Sequence, residues 1–234
     1  MKKITLIQTS LASVLALGMA ISASAQTMQA PAAGTSEPDT TPVAIGPGLV
    51  GTNYSELSFG YQRQEGSPSD LRDYEFVSNG NVYRNGTVGA DANFTYDYLE
   101  GAANGFSDHR DEAQLGMTGY LQETWGKPFI TADAGMAWER AADVSRKSFA
   151  YTGIGGVEFQ VLRNLALTPF IEYQAEPHLY NHGLPLANLE DHLVDYGVKA
   201  TYRFTQAWNA SLTADLDQHS EKDWGLRGGV SYRW

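Results

Sequence analysis

The chain has 234 residues, no cysteine, and 27 acidic against 16 basic side chains, which gives a formal net charge of -11. The absence of cysteine excludes disulfide bonds, thiolate zinc sites and thiol nucleophiles. The acidic balance argues against a nucleic-acid partner, which would need a basic face. An aromatic content of 12% argues against an acidic disordered chain.

The N-terminus has the order of a secretory signal peptide. Lys2 and Lys3 precede an apolar run over residues 11–21, and an Ala-Ser-Ala segment follows it. This pattern predicts a signal peptide over residues 1–25 that is removed before Gln26. An uncleaved membrane anchor is the alternative, but the apolar run is short for a span. The sequence therefore predicts an exported protein.

Residues 26–51 are predicted to form a flexible tether. They contain four prolines among Ala, Thr, Ser and Gly, and no aromatic residue. Too few apolar groups are present to offset the entropy lost when the segment becomes ordered. A plug or a partner-binding arm is the alternative interpretation of this segment.

From residue 52 onward, apolar and polar residues alternate in long runs. Between Val88 and Tyr98, for example, every second residue is apolar or aromatic, and Asp91 and Asn93 lie between them. This period of two predicts strands with one apolar and one polar face. The first two of about ten such segments are weak, so eight strands stay possible. The predicted strands cover about 54–62, 73–83, 88–98, 113–121, 128–138, 149–161, 165–173, 194–204, 208–216 and 224–234.

The connections between these segments alternate in length. Tight turns are predicted near 84–86, 123–127, 162–164 and 205–207, and longer polar loops near 63–72, 101–110, 140–147, 176–190 and 218–222. Short turns at one end and long loops at the other are typical of a transmembrane β-barrel. The sequence thus predicts an all-β, antiparallel up-and-down barrel over residues 52–234, with both termini on the periplasmic side.

A lipocalin-like barrel and a β-sandwich also show a period of two, so the aromatic rings decide between the folds. On the apolar face, aromatic residues fall at both ends of the strands and small or aliphatic residues between them. Two belts of rings match the two interfaces of a bilayer. The loop-end belt comprises Tyr61, Tyr74, Tyr96, Tyr98, Trp138, Phe149, Tyr151, Tyr173 and Trp224, and the turn-end belt Phe159, Tyr202, Phe204, Trp208, Tyr232 and Trp234.

Charged residues lie on the opposite face, where acids outnumber bases. About ten strands leave a narrow lumen, so these residues are expected to form a polar network with at most a thin water path. The predicted lumen network comprises Asp91, Asp133, Glu158, Glu172, Lys199, Arg203, Arg227 and Arg233.

The last eight residues resemble the terminal β-signal that the barrel assembly machinery recognises. Its four defined positions are occupied by Arg227, Gly229, Tyr232 and Trp234, although Phe is the more usual final residue. With the strand pattern, residues 52–234 resemble small bacterial outer-membrane barrels of the OmpA/OmpX-like or porin-like superfamily. The resemblance implies a Gram-negative outer membrane, contact with its lipid, and assembly machinery and periplasmic chaperones as partners during biogenesis.

No catalytic motif accompanies this resemblance. The five histidines, His109, His178, His182, His192 and His219, map to the loop end, but no spacing singles out a catalytic or metal-binding set. We therefore expect no enzyme, cofactor or metal. The sequence favours a structural or surface-interaction role. A narrow cation-preferring or small-solute channel is the alternative hypothesis, and an enzyme located at the rim of the barrel is the third. The ligand of the loops and the oligomeric state stay open.

Overall fold

The computed structural model describes residues 47–64, 71–101, 107–141, 144–175, 192–217 and 224–234. No helix in these ranges could cross a membrane. The described chain contains ten antiparallel strands, β1 (Tyr54–Gln64), β2 (Leu71–Asn85), β3 (Val88–Gly101), β4 (Ser107–Tyr120), β5 (Lys127–Ala141), β6 (Val144–Leu162), β7 (Leu165–Ala175), β8 (His192–Arg203), β9 (Trp208–Asp217) and β10 (Trp224–Arg233).

The ten strands close into a barrel, because each strand pairs with its neighbours in the chain and β1 also pairs with β10. The seam between β1 and β10 runs from Tyr54 opposite Arg233 to Arg63 opposite Trp224. Beyond it, the Trp234 N–H donates to the Asn53 carbonyl at 3.4 Å. Closure satisfies the backbone groups of both edge strands, which hydrocarbon could not do. The predicted ten-stranded barrel is confirmed, and the weakly patterned segments form β1 and β2.

The short connections lie at one end of the barrel, which we call the turn end. At the tight turn between β2 and β3, Gly86 has a φ of 62°, a left-handed conformation that glycine adopts without strain. β1 begins at this end and β10 finishes there. The opposite end, where the longer connections lie, is the loop end.

The loop predicted near residues 140–147 is wrong, because β5 continues to Ala141 and β6 begins at Val144. The register places Glu139 opposite Arg146 in this hairpin. The backbone pairing continues through this charged stretch, which therefore belongs to the strands. β7 pairs with β6 only from Tyr151 onward, and the β5–β6 hairpin therefore extends beyond β7 at the loop end.

The barrel has an apolar exterior and a charged interior. Leu115 and Ile130 on the outer face are 72% and 68% exposed, whereas Glu56 on the inner face is 2% exposed. Aromatic rings meet across strands near both ends of the outer face. Tyr61 lies 5.6 Å from Tyr74 and 5.7 Å from Trp224 at the loop end, and Trp208 lies 5.0 Å from Tyr232 at the turn end.

Candidate functional site in the barrel lumen

The barrel encloses a cavity of about 370 Å³ that extends along the lumen. Its wall reaches from Val50 and Thr52 near the turn end to Gln62 and Gln174 near the loop end. Among the described residues, eleven carboxylates and four cations line this cavity: Glu56, Asp73, Glu75, Asp91, Asp97, Glu112, Asp133, Glu158, Glu172, Asp195 and Asp215, with Arg84, Arg110, Lys199 and Arg227. The lining is therefore strongly acidic.

Two arginines and several acids lie together in the loop-end half of the lumen. Arg227 Nη1 lies 3.2 Å from Glu75 Oε1, and Arg110 Nη2 lies 2.6 Å from Glu112 Oε2. Asp97 lies opposite Glu75 in the register of β2 and β3. The acids on this part of the wall outnumber its two arginines, and they belong to strands on all sides of the barrel. This loop-end ring of carboxylates comprises Asp73, Glu75, Asp97, Glu112, Glu172, Asp195 and Asp215.

Nearer the turn end, neutral donors and two lysines, Lys127 and Lys199, contact the acids. Lys199 forms an ion pair with Glu56, and the Ser211 hydroxyl donates to the same carboxylate. The Asn81 amide donates to Asp91 at 2.9 Å. These contacts give the buried carboxylate oxygens hydrogen-bond partners within the wall.

Phenyl rings occupy part of the lumen wall beside glycines. Phe170 on β7 lies opposite Gly197 on β8, and Phe129 on β5 lies opposite Gly156 on β6. In both pairs the ring occupies the space that a Cβ on the glycine would need. The glycines thus let the rings lie against the neighbouring strand.

The turn-end mouth of the lumen holds a short piece of chain that precedes β1, residues Pro47 to Val50, which we call the mouth segment. Pro47 is fully buried and Leu49 is 6% exposed. Arg233 donates to the carbonyls of Pro47 and Gly48, and Lys127 Nζ donates to the Val50 carbonyl at 2.8 Å. These residues and Gly51 fall within the predicted tether, and residues 26–46 of that tether lie outside the described residues.

The structure places most members of the predicted lumen network on the cavity wall. Arg233 lies instead at the mouth, and Arg203 at the turn end donates to the Arg163 carbonyl at 3.5 Å. The cavity-lining members are Asp91, Asp133, Glu158, Glu172, Lys199 and Arg227.

The sequence did not predict that Glu75 and Arg110 line the lumen or that Lys127 lies at its mouth. Glu75 lies in the weakly patterned β2, and the other two lie in segments that were predicted as a loop and a turn. Their position at alternate residues from known inward side chains, such as Arg110 two residues before Glu112, is the signal that could have found them.

The four residues of the predicted assembly signal lie on both faces of β10 and at its end. Arg227 enters the lumen, and Gly229 lies between Ser58 of β1 and Ser211 of β9. The Tyr232 ring contacts Trp208 on the outer face, and its centroid lies 6.5 Å from that of Trp234. These contacts give the residues structural roles in the seam, and their recognition by assembly machinery stays a prediction.

The histidines do not form a site among the residues that the structure describes. His109 lies beside Tyr96 and Tyr98, with its Nδ1 3.4 Å from the Tyr96 hydroxyl. His192 begins β8, whereas His178, His182 and His219 lie outside the described residues. In the described part of the chain, no three His, Asp or Glu side chains are grouped as a metal site.

No protein-family model matches the chain, and no curated protein sequence matches it. Solved structures with a similar fold include Neisserial surface protein A, at 10% identity and a TM-score of 0.45 over 78% of this chain and 97% of that one. The β domain of the Bordetella autotransporter BrkA has 11% identity and a TM-score of 0.47 over 78% and 99%. OprG from Pseudomonas aeruginosa has 9% identity and a TM-score of 0.40 over 81% and 99%.

The chain's own architecture identifies its environment. An exterior of exposed aliphatic side chains between aromatic rings is suited to acyl chains and their interfaces, and the closed sheet leaves its charges inside. A freely soluble barrel would present those charges to water instead. The protein is a small ten-stranded β-barrel of the bacterial outer membrane.

Proposed function

We propose that the protein is a narrow outer-membrane channel that favours small cations. The observation that supports this proposal is the cavity along the lumen, whose described lining carries eleven carboxylates against four cationic side chains. Rings of Asp and Glu attract cations and repel anions, and low-dielectric walls strengthen that effect. The acids therefore favour cation passage.

The lumen dimensions suit small solutes only. Barrels of eight strands are filled by side chains, whereas sixteen strands leave an open aqueous pore, and ten strands lie close to the lower limit. Inward side chains such as Phe129, Phe170 and Arg227 take up part of the cross-section. We therefore expect a conductance well below that of a general porin.

A structural or surface-interaction role is the second candidate. The observation that favours it is the set of contacts that cross the lumen or its mouth, such as Lys199 with Glu56 and Arg233 with the mouth segment. Contacts of this kind make the barrel rigid, as expected for a scaffold that presents loops. In this role the barrel would not conduct.

Single-channel recording of the purified protein in planar bilayers tests the proposal. Under a salt gradient, the reversal potential should have the sign of cation preference. Glu172→Gln should lower the cation-to-anion permeability ratio, because it removes one carboxylate from the loop-end ring. The control is Glu123→Gln, which removes one charge at an exposed turn outside the lumen and should leave the ratio unchanged.

Anion preference in these recordings would contradict the channel proposal. Silent bilayers that contain demonstrably folded barrels would favour the structural role instead. Folding is measured by the migration of unheated and heated samples on a detergent gel.

A further inference from the structure

We propose that the turn-end mouth is a peptide-binding site whose ligand is the chain's own segment Pro47–Val50, and that this segment partly closes the lumen on the periplasmic side. The consequence for conduction rests on the channel proposed above. The proposed binding does not rest on the channel, because it concerns only contacts between the mouth segment and the barrel wall.

The mouth segment is held through its backbone. Its four carbonyl oxygens all accept hydrogen bonds: those of Pro47 and Gly48 from Arg233, that of Leu49 from Thr52, and that of Val50 from Lys127. A buried carbonyl without a partner costs free energy, so a wall that supplies the Arg233 and Lys127 donors favours this segment in the mouth.

Glu158 is the centre of this site. Its Oε2 accepts a hydrogen bond from the Val50 N–H at 2.9 Å, while its Oε1 lies 3.2 Å from Lys127 Nζ. Lys127 in turn donates to the Val50 carbonyl, so the ion pair contacts both polar groups of one peptide residue. Glu158 is 5% exposed, and at such a site charge-assisted hydrogen bonds are stronger than neutral ones.

The site also selects residue types. The Glu158 carboxylate occupies the space that a Cβ at Gly48 would need, so a side chain there would separate this carboxylate from Val50 and Lys127. Pro47 and Leu49, on either side of it, are buried apolar residues. Gly51 follows the segment with a φ of 86°, a left-handed conformation, and turns the chain toward β1. The ligand is therefore an apolar-Gly-apolar-apolar peptide that leads into a turn, because the Thr52 N–H donates to the Leu49 carbonyl at 3.0 Å.

The test expels the mouth segment without changing the barrel wall. Gly48→Val places a side chain where the Glu158 carboxylate lies, so the segment should leave the mouth. The matched control is Gly119→Val, because a Cβ at Gly119 meets no atom within 4 Å. Both variants are made in the full-length protein and checked for heat-modifiable migration, which reports a folded barrel.

Binding is measured by the reaction of a single cysteine with a water-soluble maleimide, since the chain has no cysteine of its own. With Leu49→Cys alone, we expect the reaction to be at least about tenfold slower than with Glu123→Cys at an exposed turn, because protection follows burial. Adding Gly48→Val should remove most of that protection, and adding Gly119→Val should retain it. Equal rates for Leu49→Cys and Glu123→Cys would overturn the proposal.

Closure is measured by the single-channel conductance of the same variants. Gly48→Val should raise the conductance several-fold over the wild-type barrel and over Gly119→Val. If all barrels conduct equally although Gly48→Val releases the cysteine, the closing role is wrong. If every variant is silent while the labelling behaves as expected, the channel proposal fails and the peptide-binding site is supported.

Discussion

At the scale of single residues, the lumen depends on glycines that make room for large neighbours. Phe170 occupies the space beside Gly197, and Phe129 occupies the space beside Gly156. Each pair joins adjacent strands in register, so the small and the large residue fill one position of the wall together. A larger residue at either glycine would displace a ring in a packed interior.

Gly197→Ala is expected to destabilise the barrel. The added methyl group would overlap the Phe170 ring, and overpacking of this kind costs about 1–3 kcal/mol. The measurement is the midpoint of urea unfolding of the barrel in detergent, which should fall. The control is Gly155→Ala on the outer face, where a Cβ meets nothing within 4 Å. Equal unfolding midpoints for Gly197→Ala and the control would show that the Phe170 ring moves without a loss of stability.

At the scale of elements, β10 closes the barrel and carries the predicted assembly signal. Its inner face places Arg227 beside Glu75, and its outer face places Tyr232 against Trp208. Gly229 lies at the seam, where a Cβ would come within 3.0 Å of Glu56 Oε1. The residues that match the signal are therefore also the residues that the closing strand needs for its contacts.

Deletion of Trp234 is expected to lower the amount of folded barrel in the outer membrane several-fold. The deletion removes the ring beside Tyr232 and the backbone hydrogen bond to Asn53, and it shortens the predicted signal. Export should be intact, because the predicted signal peptide is unchanged. Insertion and export are measured from the amounts of the protein in the membrane and periplasmic fractions. The control is Trp125→Ala at an exposed turn. Normal insertion of the shortened chain would count against the signal.

At the scale of the whole molecule, the bilayer is the solvent for one face of the sheet and water for the other. The outer face carries exposed Leu, Ile, Val and Met side chains, and the lumen carries the buried acids. Burial against water cannot account for this distribution, because the largest apolar side chains are outside. Contact with acyl chains does account for it, since the apolar groups then leave water and the closed ladder satisfies the backbone.

Lipid contact predicts how tryptophan fluorescence is quenched. Trp208 and Trp224 are exposed on the outer face near opposite ends of the barrel. The apolar band is about 25 Å tall, so both rings should lie roughly 12 Å from the bilayer midplane. In variants in which Trp208 or Trp224 is the only tryptophan, lipids brominated near the headgroup should quench its fluorescence more than lipids brominated near the chain end. A lack of quenching by either lipid would contradict the membrane orientation.

Most strands and their faces followed from the sequence, because alternation is a local property of neighbouring residues, whereas the choice between eight and ten strands came from the structure. The signal for β1 and β2 was weak because Ser55, Ser78 and Gly80 occupy outward positions, whereas the apolar Val77 lies in the lumen wall. The loop predicted near residues 140–147 was wrong for a related reason. A charged stretch was interpreted as the end of two strands, although Glu139 and Arg146 are paired in the backbone register of β5 and β6.

The amino-acid sequence by itself determined that the chain is a barrel with an apolar exterior and acids inside, because the side-chain period assigns each residue to a face. Only the tertiary structure decided which charges meet. Lys199 and Glu56 are 143 residues apart, and Val50 and Glu158 are 108 apart. Their contacts depend on strand register and on closure between β1 and β10, which no local pattern encodes. The same closure creates the mouth in which Pro47–Val50 is held.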